Sequence, residues 1–123
     1  MKRILIVDDS FSIRELIRLC LADRNVTVEE AEDGTEALAL SKVNDFDLVI
    51  TDVYMPKMSG TDLIKELRTL DQYSDIPIYI LSSDDDPEVK KLAREIGANG
   101  WITKPINIAQ INLILDETFG SDC

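Results

Sequence analysis

The 123-residue sequence contains no histidine. That gap excludes serine-histidine hydrolysis, imidazole-ligated zinc, histidine-ligated haem and any phosphohistidine formed on this chain. Whatever chemistry exists must run on carboxylates, hydroxyls and lysine. Cysteine is nearly missing as well: Cys20 sits in an apolar run and Cys123 is the last residue, which gives neither a disulfide framework nor a zinc knuckle. Both are expected to be free thiols in a reducing cytosol. No apolar run approaches the length of a membrane span, and Ile4–Val7 is cut short by Asp8 and Asp9, so no signal peptide is expected. Positive charge is scarce, with 13 basic against 24 acidic residues and a formal charge of -11. Such a surface repels nucleic-acid phosphates and anionic lipid, so neither nucleic acid nor membrane is an expected partner.

What is present suits one folded domain in the cytoplasm. The length leaves no room for a second ordinary fold, and a chain of this size hides roughly two-thirds of its unfolded surface. With 45% hydrophobic and 30% charged residues, disorder and low complexity are excluded. Short continuous apolar runs alternate five times with stretches of helical spacing. The runs are Ile4–Val7, the weaker Val26 and Val28, Leu48–Thr51, Ile78–Leu81 and a piece around Trp101 and Ile102. Runs with nothing polar inside predict strands buried on both faces, the habit of parallel sheets.

The helical stretches carry Ile13, Leu16, Ile17 and Cys20; Ala37, Leu38 and Leu40; Leu63, Ile64 and Leu67; Val89, Leu92, Ala93 and Ile96; and Ile108, Ile111, Leu113, Ile114 and Leu115. Each start pairs a capping side chain with an acid or amide three residues on: Ser12 with Glu15, Asp33 with Glu36, Ser59 with Asp62, Asp85 with Glu88, and Asn107 with Gln110. Strict alternation of strand and helix gives an open α/β fold with a parallel sheet covered on both faces. Ligands of such sheets bind beyond the carboxyl ends of the strands.

The residues at those ends are polar. The first run closes on Asp8 and Asp9, the third on Asp52, the fourth on Ser82 and the fifth on Lys104. Two carboxylates about 4 Å apart repel by roughly 4 kcal/mol at an effective dielectric near 20, equivalent to about three pKa units. Three converging acids therefore resist joint ionisation unless a cation joins them. A divalent ion with Lys104 balances the three negative charges. Oxygen ligands alone favour magnesium over zinc or copper, with open positions for a phosphoryl group. Taken singly these residues have plainer readings, as turn-formers, helix caps or a solvated lysine; their convergence argues for a site.

In four segments the sequence resembles the receiver domains of bacterial two-component response regulators. They are Ile6-Val7-Asp8-Asp9-Ser10, the stretch Val49-Ile50-Thr51-Asp52-Val53-Tyr54-Met55-Pro56-Lys57-Met58-Ser59-Gly60, Leu81-Ser82-Ser83 and Thr103-Lys104-Pro105. The resemblance runs from Arg3 to about Phe119 and implies a flavodoxin-like (βα)5 three-layer sandwich with strand order 2-1-3-4-5. The receiver is expected to occupy residues 1–119, with 120–123 as a tail. Asp52 is then the nucleophile that takes a phosphoryl group from a phosphohistidine on a sensor histidine kinase or phosphotransfer protein. Asp8, Asp9, Asp52 and the backbone carbonyl of Tyr54 hold Mg2+, with Mn2+ as substitute, while Lys104 and Ser82 engage phosphoryl oxygens. Ser82 and Trp101 form the switch, although the family usually has tyrosine or phenylalanine where Trp101 stands. Tyr54 and Asp84 flank the path of the hydrolytic water, and the Lys104–Pro105 peptide is usually cis.

The chain would signal to a downstream protein through its fourth helix, fifth strand and fifth helix, as a monomer or a weak dimer formed on phosphorylation. Other readings are an intermediate in a phosphorelay, a receiver cut from a longer regulator, a receiver-like domain that is never phosphorylated, and a magnesium-dependent aspartyl phosphatase. The phosphatase needs an acid two residues after its nucleophile, where Tyr54 stands. A nucleotide-binding module needs a glycine-rich loop after Val7, which is missing. Asp9-Ser10 with Arg14 resembles the chemotaxis branch of the family.

Overall fold

The apolar runs become strands because every residue of Ile4–Val7 and Leu48–Ile50 is fully buried, which only a sheet covered on both faces allows. The computed structural model describes residues 1–83 and 86–120. Five strands, β1 (Lys2–Val7), β2 (Val26–Ala31), β3 (Leu48–Asp52), β4 (Ile78–Ser82) and β5 (Gly100–Thr103), alternate with helices α1 (Phe11–Cys20), α2 (Gly34–Val43), α3 (Gly60–Arg68), α4 (Pro87–Glu95) and α5 (Ile108–Phe119). All pairings are parallel, in the order β2-β1-β3-β4-β5. This is the flavodoxin-like arrangement expected from the resemblance.

Alternation along the strands sends side chains to two separate cores. Leu5, Val7, Val49, Ile78 and Ile80 meet Ala37 of α2, Leu63, Ile64 and Leu67 of α3 and Ala93 of α4. Ile4, Ile6, Leu48, Ile50 and Leu81 meet Ile17 and Cys20 of α1 with Ile111, Ile114 and Leu115 of α5. At about 25 cal/mol per Å2 of apolar surface removed from water, each fully buried isoleucine or leucine contributes roughly 2 kcal/mol before entropy is counted.

Three capping pairs hold as read: Asp33, Ser59 and Asn107 accept from the backbone N–H of Glu36, Asp62 and Gln110. Two starts are corrected. α1 is capped by Ser10, whose side chain accepts from the N–H of Ile13, because helical backbone already begins at Phe11 and leaves Ser12 inside the first turn. α4 is capped by Asp86, which accepts from the N–H of Glu88 directly before Pro87; Asp85 lies outside the described residues. α4 also buries only Ala93, and Leu92 faces solvent. The strand pattern did not foretell the 3-10 turn Asp71–Tyr73, where Tyr73 is fully buried and donates its hydroxyl to the carbonyl of Ser41. No helix among the described residues is long and apolar enough to cross a membrane.

Candidate functional site

Strand register builds the site. Val7 pairs with Thr51, so the residues one step beyond, Asp8 and Asp52, lie side by side. Asp52 pairs with Leu81, which brings Ser82 to the same edge, and Ser82 pairs with Thr103, which brings Lys104 there. Asp8 is fully buried, Asp52 and Ser82 are nearly so, and Asp9 is exposed. A carboxylate oxygen from each of Asp8, Asp9 and Asp52 lies within 4.8 Å of the others. Lys104 Nζ stands 3.2 Å from Asp8 Oδ2 and 3.4 Å from Asp52 Oδ2. The second contact is aligned as a hydrogen bond, whereas the buried Asp8 Oδ2 has no hydrogen-bond donor among the described residues.

The electrostatics match the charge count. Burial and the neighbouring Asp8 charge raise the Asp52 carboxyl above its usual range, with Lys104 and the Val53 N–H opposing them. Burial alone would lower the Lys104 ammonium; Asp8 and Asp52 outweigh it and hold the ammonium above its usual range. One lysine is thus shared by acids whose charge it cannot balance. A carboxylate oxygen without a donor beside two further acids, with no nitrogen or sulfur ligand, fits a hard divalent cation such as Mg2+. The Lys104–Pro105 peptide is cis.

The loop after β3 is moulded around Asp52. Asp52 Oδ1 accepts from the Val53 N–H at 2.8 Å, and the Gly60 N–H returns to the Val53 carbonyl at 2.8 Å. A Cβ at Gly60 would lie 1.9 Å from the Asp52 carbonyl oxygen, so only glycine allows this closure. Lys57 adopts positive φ, and its ammonium lies 3.7 Å from the Asp33 carboxylate at the start of α2. Tyr54 projects into solvent from the same loop, 66% exposed.

A sequence profile of the response regulator receiver domain matches residues 4–116. The chain belongs to this family. The receiver is 36% identical over 118 residues to the chemotaxis protein CheY-3 of Vibrio cholerae, covering 95% of this chain and 91% of that protein. It is 37% identical to the alkaline phosphatase synthesis transcriptional regulatory protein PhoP of Bacillus subtilis, over 90% of this chain but 45% of that longer protein. The solved chemotaxis response regulator CheY4 of Vibrio cholerae superposes with a TM-score of 0.91 at 39% identity, over 97% of this chain and 99% of that one. The membership makes the chain a two-component signalling domain of the kind that interacts with histidine kinases or phosphotransfer proteins and with downstream targets. Receiver domains generally bind Mg2+ through an acidic cluster, and Asp8, Asp9 and Asp52 form one here.

Of the receiver residues singled out in the sequence, Asp8, Asp9, Asp52, Ser82 and Lys104 converge. Trp101 does not join them: it is half-buried against the core under α2, α3 and α4, and its buried Nε1 has no hydrogen-bond acceptor among the described residues. Asp84 lies outside the described residues. Sequence reasoning missed the buried Thr51, whose hydroxyl donates to the Asp52 carbonyl at 2.9 Å, and it missed Glu30. A hydroxyl as the one polar residue of an apolar run was the available signal for Thr51.

Proposed function

We propose that this receiver accepts a phosphoryl group on Asp52 from a partner's phosphohistidine and signals by the resulting change of charge. The observation that carries the reading is the meeting of three carboxylates with a single lysine at the ends of β1, β3 and β5. An Asp52 oxygen attacks phosphorus, the donor imidazole nitrogen leaves with the electron pair of the P–N bond, and an acyl phosphate forms. Asp8, Asp9, Asp52 and the Tyr54 carbonyl would hold Mg2+, which when bound neutralises phosphoryl oxygens. Lys104 pairs with a phosphoryl oxygen, and the Ser82 hydroxyl hydrogen-bonds another. Positioning and charge neutralisation dominate such transfers, so this small set suffices.

The added charge draws Ser82 and Lys104 inward and biases α4, β5 and α5, the face through which a downstream protein is bound. Trp101 lies on that face and is the proposed aromatic partner of Ser82 in the switch. Tyr54 and Asp84 set how long the phosphoryl group survives, with the Tyr54 ring shielding it, so Tyr54→Ala is expected to lose phosphate faster. Likeness over nearly the whole of a chemotaxis protein favours output by protein contact. The test is incubation with Mg2+ and acetyl phosphate followed by intact-mass spectrometry. One phosphoryl adduct is expected in the parent and none in Asp52→Asn; an adduct that persists in that variant overturns the reading.

A further inference from the structure

The acidic loop between β1 and α1 is gripped from β2. The N–H of Asp8 donates to the Ala31 carbonyl at 3.1 Å, and the Ser10 N–H donates to Asp8 Oδ1 at 2.8 Å. The remaining hold on that peptide is Arg14, only 7% exposed, whose Nη1 donates to the Asp8 carbonyl at 2.7 Å. Its Nε donates to Glu30 Oε1 at 3.0 Å, while Arg18 donates to Glu30 Oε2 at 2.9 Å. The Phe11 ring covers the Arg14 guanidinium at 5.8 Å. A buried fork thus links the carbonyl of a candidate metal ligand to a carboxylate that a second arginine fixes. Burial would raise the Glu30 carboxyl, but the hydrogen bonds from Arg18 and Arg14 outweigh it and keep the group ionised.

We propose that Arg14 is a positioning residue for the cation site: braced by Glu30, its guanidinium fixes the Asp8 peptide so that the Asp8 carboxylate stays aimed at Asp9 and Asp52. The inference rests on the proposed metal site and adds that a cation inside the fold strengthens cation binding. Charge alone gives the opposite sign, because a positive group near the acids repels Mg2+ and its removal should tighten binding. Geometry gives weakening, as outer partners of metal ligands characteristically do. Lysine separates the two, since it keeps the charge but lacks the planar fork that spans a carbonyl and a carboxylate.

The experiment is Mn2+ binding followed by loss of the free-ion electron paramagnetic resonance signal, with Mg2+ as competitor and no phosphodonor. Arg14→Gln is expected to raise the Mn2+ Kd about 10-fold, and Arg14→Lys by roughly 3- to 10-fold. Glu30→Gln should weaken binding through Arg14, so the double variant should be no weaker than Arg14→Gln alone. Circular dichroism and urea midpoints check folding, and Arg14→Lys with Glu30→Gln carry the test where Arg14→Gln does not fold. Tighter binding by Arg14→Gln, an unchanged Kd in Arg14→Lys, or fully additive effects in the double variant would overturn the inference. Parent protein that binds no Mn2+ would overturn the metal reading itself.

Discussion

Arg68 and Lys104 are two largely buried cations with opposite surroundings. Among the described residues the Arg68 guanidinium donates to neutral oxygens alone: to the carbonyls of Tyr73 and Ile76 at 2.8 Å each, to the Gly97 carbonyl at 3.1 and 2.6 Å, and to Asn99 Oδ1 at 2.8 Å. It ties the end of α3 to the 3-10 turn and to the connection between α4 and β5. Burial lowers its pKa, with Asp75 opposing. Lys104 instead faces two buried carboxylates at 3.2 and 3.4 Å, and one of their oxygens, Asp8 Oδ2, has no hydrogen-bond donor among the described residues. A cation whose donors all have acceptors fixes a structure. A cation facing surplus negative charge belongs to a site still able to take up another positive group, and the response to added cation should tell the two apart.

The largest expected effect is on the satisfied cation. Arg68→Met leaves several partly buried carbonyls without this donor and should cost about 3 kcal/mol in urea unfolding, with Mg2+ restoring no more than it gives the parent. Lys104→Met leaves Asp8 and Asp52 uncompensated and should cost roughly 2 kcal/mol without metal. In this variant Mg2+ should raise the urea midpoint by more than it does in the parent. Equal rescue of both variants breaks the comparison.

A smaller effect of opposite sign tests the acids. Asp52 has a raised folded pKa, so protonation favours the fold and ionisation at neutral pH weakens it. Asp52→Asn should therefore stabilise the metal-free protein at pH 7. The gain should shrink as pH falls through the folded pKa and vanish below the ordinary carboxylate range, as read by urea midpoints across pH. A destabilised Asp52→Asn would show that the carboxylate is satisfied after all. The smallest effect lies far from both cations: Asn107→Ala removes the α5 cap and should cost about 1 kcal/mol at every pH and Mg2+ concentration.

Much of this was legible because the signals were local. A buried strand must be apolar throughout, so Ile4–Val7 and Leu48–Ile50 announced themselves, and Asp33, Ser59 and Asn107 capped the helices they were expected to cap. Ser12 misled because Ser10, two residues earlier, has the same chemistry and the helix began sooner. Nothing in the sequence singled out Tyr73, since only the folded chain brings the Ser41 carbonyl to its hydroxyl.

The sequence alone determined the alternation of strand and helix, the parallel α/β class and the polar residue at the end of each strand that bears on the site. Those properties depend on residue type and spacing within a few positions. Tertiary structure decided the relations that depend on strand register and on contacts between distant segments. It set which acids stand within 4.8 Å, which oxygen lacks a donor and which cation is satisfied, and it joined Glu30 to Asp8 through Arg14. Packing decides such relations because burial turns modest differences in distance and partner into free energies that solvent would otherwise screen.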